Sequence, residues 1–127
     1  MKVVVFALTF LDSKSMNSDI ETSLEKVKSF DEYEIEYRCS RDPNEPLKAS
    51  EFENVIAVIA DLETYNSEIL KEIGAKGNGT VELIARYGVG YDNIDIKAAK
   101  KYGISVTNCP GCNSIPTAEW TVAMILD

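Results

Sequence analysis

Apolar and polar positions along the chain fall into two kinds of segment. Val3 to Leu8 (VVVFAL) and Val55 to Ala60 (VIAVIA) are unbroken apolar runs rich in β-branched residues, the pattern of strands buried on both faces of a parallel sheet. Tyr33, Ile35 and Tyr37 alternate with Glu34 and Glu36, a period of two with one wet face, which predicts an edge strand. Val81 to Ala85 and Ile104 to Val106 predict a fourth and a fifth strand. Helical spacing fills the intervals. Ile20, Leu24, Val27 and Phe30 recur at threes and fours across Asn17 to Phe30, with Ser18 or Asp19 near the cap. Asn66 and Ser67 cap a short helix that turns Ile69, Leu70 and Ile73 inward and closes at Gly74. A further helix is predicted from Asn93 to Tyr102, stopping at Gly103, and Pro116 enters a last one carrying Trp120, Val122, Met124, Ile125 and Leu126. Residues 38–53, polar and interrupted by Pro43 and Pro46, read as a loop with one helical turn over Leu47 to Phe52. Strands separated by crossovers of this length are repeated βαβ units, and right-handed crossovers predict a doubly wound α/β fold: a five-stranded parallel sheet in the order 2-1-3-4-5.

Composition narrows the function. The 127 residues form one domain, large enough to hide roughly two-thirds of the unfolded surface without disulfides or metal. The formal charge is −8, from 13 basic and 21 acidic side chains. Nucleic acid is disfavoured as a partner, because phosphate binding draws on clustered cations and only Lys97, Lys100 and Lys101 cluster, as a solvated helix face. Val3 to Leu11 is far shorter than the roughly 18 to 20 residues of a membrane span, and the Asp-Ser-Lys-Ser after it lacks a small-residue cleavage site, so a cytoplasmic chain is expected. Histidine is absent, which excludes a Ser-His-Asp triad, a Cys-His pair and a His-ligated catalytic zinc. Three cysteines, Cys39, Cys109 and Cys112, do not make the disulfide framework of a secreted fold.

In an open parallel sheet a ligand sits beyond the carboxyl ends of the strands, here the loops Thr9 to Asn17, Asp61 to Asn66, Arg86 to Asn93 and Thr107 to Ile115. Gly88-Val89-Gly90 permits unusual φ and lets backbone N–H groups approach a ligand, with a helix N-terminus behind them, which favours a carboxylate or another small anion. The same residues also suit an ordinary turn in which glycine serves geometry and Asp92 or Asn93 caps the helix. They do not make a dinucleotide fingerprint, since the third glycine of GxGxxG falls at Asn93. Cys109-Pro-Gly-Cys112 stands ahead of a helix, where thiol redox chemistry is possible in principle, and two incidental loop thiols are the plain alternative. Without a second pair or a histidine it cannot complete a zinc site. Asp61 ends the third strand at the place of a receiver-domain phosphoacceptor, but Leu8-Thr9-Phe10 stands where the Mg²⁺-holding acidic pair belongs, so Asp61 is read as a solvated strand-end carboxylate. A flavodoxin-type phosphate loop is likewise missing from Thr9 to Asn17.

The run Arg86-Tyr-Gly-Val-Gly-Tyr-Asp-Asn-Ile-Asp-Ile-Lys-Ala-Ala-Lys-Lys-Tyr-Gly-Ile-Ser-Val-Thr-Asn-Cys-Pro-Gly111, followed by Ala118-Glu119-Trp120 and an apolar helix, resembles the D-isomer-specific 2-hydroxyacid dehydrogenase family. Its members include phosphoglycerate, D-lactate, glyoxylate/hydroxypyruvate and formate dehydrogenases. The resemblance is to the N-terminal substrate-binding domain of that family and implies a flavodoxin-like fold. It further implies an NAD-dependent oxidoreductase that interconverts a D-2-hydroxy acid and a 2-oxo acid by hydride transfer. By position, the N–H groups of Val89 and Gly90 are implied to hold the substrate carboxylate, Val89 to lie near the nicotinamide end of NAD, and Asn113 to be directed at the substrate. Asp92 and Asn93 are assigned to turn and cap, Glu119 to structure, and no residue to a metal.

Two departures shape the expectation. Where relatives that handle phosphorylated acids end the third strand in Arg-Ser, this chain has Asp61 and Leu62, so a phosphorylated substrate is disfavoured. The NAD fingerprint and the family's catalytic Arg, Glu and His belong to a second domain, so no catalytic residue is assigned in this chain. The final helix, apolar nearly all round and without a glycine cap, points the same way. Residues 1–115 are thus expected to form the substrate-binding domain and residues 116–127 to begin a helix crossing to an NAD-binding domain, in a chain inactive alone and monomeric, from a parent that dimerises through that domain. The competing readings are a thiol redox module using Cys109 and Cys112 and a non-catalytic domain that binds small anions.

Overall fold

A computed structural model describes residues 2–6, 26, 34–38, 42 and 44–127. Within them β1 (Lys2–Val5), β2 (Glu34–Tyr37), β3 (Val55–Ala60), β4 (Leu83–Arg86) and β5 (Ser105–Thr107) pair in parallel as one five-stranded sheet ordered β2-β1-β3-β4-β5. The predicted fold class and strand order are those observed. Strand direction reverses its march at β1, so the topological switch lies between β1 and β3.

Register explains the core. Val4, Val58 and Ile84 lie side by side across three strands, all fully buried, with Val106 next in line on β5. Onto this face pack Ile69, Leu70 and Ile73 of α1 (Ser67–Ile73), Ala98 and Ala99 of α2 (Ile96–Lys101), and Phe52 of a 3-10 turn at Ala49–Phe52. Phe52 meets Phe6 at a ring-centroid distance of 5.9 Å and Tyr65 edge-on at 6.5 Å. On the other face Val3, Ala57, Ile59, Leu83 and Ala85 are half-buried. β3 is fully buried at Val55, Val58 and Ala60 and half-buried at Ile56, Ala57 and Ile59, where its uniform apolar run predicts full burial on both faces. An apolar run reports hydrophobicity and not which side is covered.

The ends of the elements shift from expectation for local reasons. Asn66 caps α1 as predicted, its side chain accepting from the N–H groups of Glu68 and Ile69, each at 3.0 Å. α2 begins later than the expected Asn93, because Asp95 is the cap and accepts from Ala98 N–H at 2.9 Å. The last helix, α3 (Ser114–Leu126), starts ahead of Pro116, since a proline within the first turn forfeits no intrahelical N–H bond. Its apolar side chains, among them Trp120, Met124 and Leu126, are exposed. Of the helix expected over Asn17 to Phe30 only Lys26 is described, and it is helical; the loop Thr9 to Asn17 and Cys39 lie outside the described residues. Among the described residues no helix is long and apolar enough to cross a membrane.

At the β2 edge, Glu36 accepts from Arg38 Nε at 2.7 Å and Lys2 Nζ at 3.4 Å. The hydrogen bond from Arg38 holds the Glu36 carboxyl below the usual carboxylate range, against a smaller opposing effect of burial. Its contribution to stability is present above the unfolded pKa and is lost as pH falls through the depressed folded value. Glu36→Gln should flatten the acid limb of the stability-pH curve, read by urea unfolding at a series of pH values. In the same assay Ile84→Ala should cost about 2–5 kcal/mol, and Leu83→Ala on the half-buried face less than half of that.

Candidate functional site

Three loops leave the carboxyl ends of β3, β4 and β5, and hydrogen bonds tie them in series. Asn93 supplies the first tie, its Nδ2 donating to the carbonyls of Asp61 at 3.1 Å and Glu63 at 2.7 Å. Backbone bonds reinforce it, Tyr65 N–H to Asn93 O at 2.8 Å and Asp95 N–H to Tyr65 O at 3.0 Å. The second tie joins β4 to β5: Cys109 N–H donates to Gly88 O at 2.9 Å, and Asn108 Nδ2 donates to Val89 O at 2.8 Å.

Charge at this edge is internally compensated. Because Ala60 and Arg86 are register partners, Asp61 lies beside the Arg86 side chain, and Arg86 Nη1 donates to Asp61 Oδ1 at 3.4 Å and also to Tyr87 O. The Arg86 side chain is only 10% exposed. Asp61 is thus ion-paired and half-buried, which corrects its reading as a solvated carboxylate. Glu63, 3% exposed, accepts from Asp61 N–H at 3.0 Å.

The β4 turn presents backbone. Gly88 takes φ +145°, a conformation L side chains rarely adopt, whereas Gly90 has no positive φ and the atom nearest its absent Cβ is Asp92 Oδ2 at 3.9 Å. The expectation that both glycines permit unusual φ therefore holds for Gly88, while Gly90 leaves the backbone accessible. Among the described residues, neither Val89 N–H nor Gly90 N–H meets a hydrogen-bond acceptor. Val89 shares an open groove of about 660 Å³ with Asn113, Ser114, Thr117, Thr121 and Val122. Asn113 is the residue before α3, yet its side chain makes no capping bond and is exposed.

The structure thus brings Val89 and Asn113 to one groove, with Gly90 next to Val89. Asp92 and Asn93 do not cap α2: Asp95 does, and the Asn93 carboxamide is committed to the β3 loop. Sequence reasoning missed this clamp because its acceptors are main-chain carbonyls 30 and 32 residues away. It also missed the buried Arg86, for which an arginine closing an apolar strand was the available signal. A larger cavity of about 840 Å³, lined by Asn44, Pro46, Leu62, Thr64 and Asn66 among others, shares no residue with the groove.

Comparison with known proteins gives the same topology a family. The model for the D-isomer specific 2-hydroxyacid dehydrogenase, catalytic domain, matches residues 10–123. A glyoxylate reductase from Thermococcus litoralis is 37% identical over 106 residues, covering 84% of this chain and 30% of that protein. A D-3-phosphoglycerate dehydrogenase from Bacillus subtilis is 34% identical over 99 residues, covering 69% of this chain and 19% of that protein. Among solved structures, the NAD+-bound 3-phosphoglycerate dehydrogenase of Entamoeba histolytica superposes with a TM-score of 0.70 at 25% identity, covering 98% of this chain and 38% of that one. The chain spans less than a third of the length of the two curated relatives.

The two turn glycines should separate on substitution. Gly88→Ala, forced to a strained φ, is expected to lower unfolding free energy by about 1–3 kcal/mol, whereas Gly90→Ala should stay within about 0.5 kcal/mol of the parent in urea unfolding.

Proposed function

Because the chain belongs to the D-isomer specific 2-hydroxyacid dehydrogenase family, we propose that it supplies the substrate-binding domain of an NAD-dependent enzyme interconverting a small D-2-hydroxy acid and its 2-oxo acid. The observation that carries this reading is the pair of N–H groups at Val89 and Gly90, which follow the positive-φ Gly88 and are bonded to no described acceptor. Two adjacent amides with no described acceptor suit one carboxylate, in the manner of an anion nest. Asn113, across the groove, adds a carboxamide that can donate to the substrate's oxygen.

NAD is the family's cofactor and supplies the hydride when bound. The residues described here do not themselves form a dinucleotide site, since the position of the third fingerprint glycine is Asn93, whose side chain clamps the β3 loop. This chain's own share in our reading is Val89, at the mouth of the groove near the nicotinamide end. We assign the crossing to an NAD-binding domain to α3, beginning near residue 116, and dimerisation and the catalytic acid and base to the remainder of the parent enzyme, acting in the cytoplasm. The chain has no histidine, and by itself it should give no NADH-dependent turnover of 2-oxo acids.

The substrate class follows from local charge. Arg86 is committed to Asp61, and Glu63 adds a further negative charge, so these three side chains offer no spare cation to a phosphate. Support for a non-phosphorylated acid comes from this compensation and no longer from repulsion by a lone Asp61. Glyoxylate serves as the probe. Titrated into the 127-residue chain, it should shift the backbone amide resonances of Val89 and Gly90 with a roughly millimolar Kd, about 4 kcal/mol. Asn113→Ala should weaken binding about three- to tenfold without changing stability. Shifts elsewhere with these amides unmoved would overturn the assignment.

A further inference from the structure

We propose that Cys109 and Cys112 form a dithiol site that closes to an internal disulfide, and that closure is felt at the Gly88-Val89 turn. The two cysteines are the first and last residues of a β-turn closed by Cys112 N–H to Cys109 O at 3.4 Å. Pro110 has its φ set by its ring, and Gly111 takes φ +77°. Proline followed by a positive-φ glycine is the backbone of a type II turn, whose outer Cα atoms lie within about 7 Å of one another. Disulfides span Cα separations of about 4.4–6.8 Å, a range that such a turn can reach. Both thiols are free and exposed. The nearest atom to a Cβ on Gly111 would be Ser114 Oγ at 3.9 Å, so glycine is required there by conformation and not by space.

This turn is fastened to the one at Gly88-Val89, whose next amides meet no described acceptor. Cys109 donates through N–H to Gly88 O at 2.9 Å and through Sγ to Arg86 O at 3.6 Å, while Asn108 holds Val89 O at 2.8 Å. A disulfide sulfur carries no hydrogen. Closure therefore abolishes the thiol bond to Arg86 O while the N–H bond keeps the two turns joined, and the change is delivered at the end of β4.

The oxidant is a small aliphatic disulfide. The thiolate of one cysteine attacks one sulfur of that disulfide, making a mixed disulfide and expelling one small thiolate; the second cysteine then attacks the protein sulfur and expels the other. One S–S bond is broken and one formed. The two protons from the cysteines pass to the two released thiolates, and the two electrons lost by the protein reduce the small disulfide.

Oxidised glutathione, added in excess to the whole 127-residue chain, is the test, read by mass spectrometry after alkylation. The expected product is a Cys109–Cys112 bridge with no retained glutathione on either residue, whereas Cys109→Ser and Cys112→Ser should each stop at a mixed glutathione adduct. Gly111→Ala should lower the closure equilibrium about tenfold by straining the turn. Glutathione on both cysteines of the parent chain, or pairing only with Cys39 or between chains, would overturn the site. Amide resonances of Gly88 and Val89 should move on oxidation of the parent chain; a bridge that forms while they stay fixed would overturn the coupling. Neither readout depends on the substrate assignment.

Discussion

The carboxyl edge of the sheet depends on one side chain, Asn93, whose Nδ2 reaches two carbonyls of the β3 loop. Loops at a strand end carry main-chain groups that the sheet cannot satisfy, and a carboxamide with two donor hydrogens can hold two of them at once. With this clamp in place, Tyr65 is buried against Phe52 and the β3 loop is brought alongside the β4 loop, where Tyr65 and Ile94 form an isolated bridge. That juxtaposition lets Asp61 meet Arg86 and leaves the Gly88 turn standing free of the β3 loop.

The same logic continues to β5. Asn108 and Cys109 satisfy the outward carbonyls of Val89 and Gly88, so the turn is held by its carbonyl groups while its next two N–H groups face away from any described acceptor. A peptide turn pinned by its acceptors and open at its donors would, on the proposed function, need no rearrangement to receive an anion. The rigidity comes from buried, regular parts of the molecule, the Val4-Val58-Ile84 row and the two short helices covering it.

Much of this was legible in the sequence, and the boundary of legibility is physical. Strand order followed from run lengths and crossover handedness, and the Asn66 cap from a preference that acts over three residues. The turn at Gly88 was visible because glycine spacing constrains backbone locally. Asp61 was misread because its partner, Arg86, is 25 residues distant and is set beside it only by strand register. Asn93 was taken for a cap because asparagine after a turn usually is one, and the true cap, Asp95, differs by two positions. Local chemistry could be read from the chain; long-range polar pairing needed the fold.

The electrostatic design of the edge bears on which acid would be accepted under the function proposed above. A chain of net charge −8 repels anions at long range, and screening confines that repulsion to about 8–10 Å at ordinary ionic strength. Inside that distance selectivity rests on local dipoles. Two backbone amides carry partial charges that balance one carboxylate but fall short of a dianionic phosphate, which draws on Arg or Lys for bidentate, charge-assisted bonds. Arg86 has the right chemistry for that task, but its side chain is nine-tenths buried, with Nη1 committed to Asp61 and the Tyr87 carbonyl and the buried Nε meeting no described partner. Releasing it would leave Asp61 unpaired beside the buried Glu63, a cost that a surface phosphate contact does not offset. In the function proposed above, the arginine that could have served a phosphate thus stabilises the edge instead, and recognition of the acid falls to the backbone.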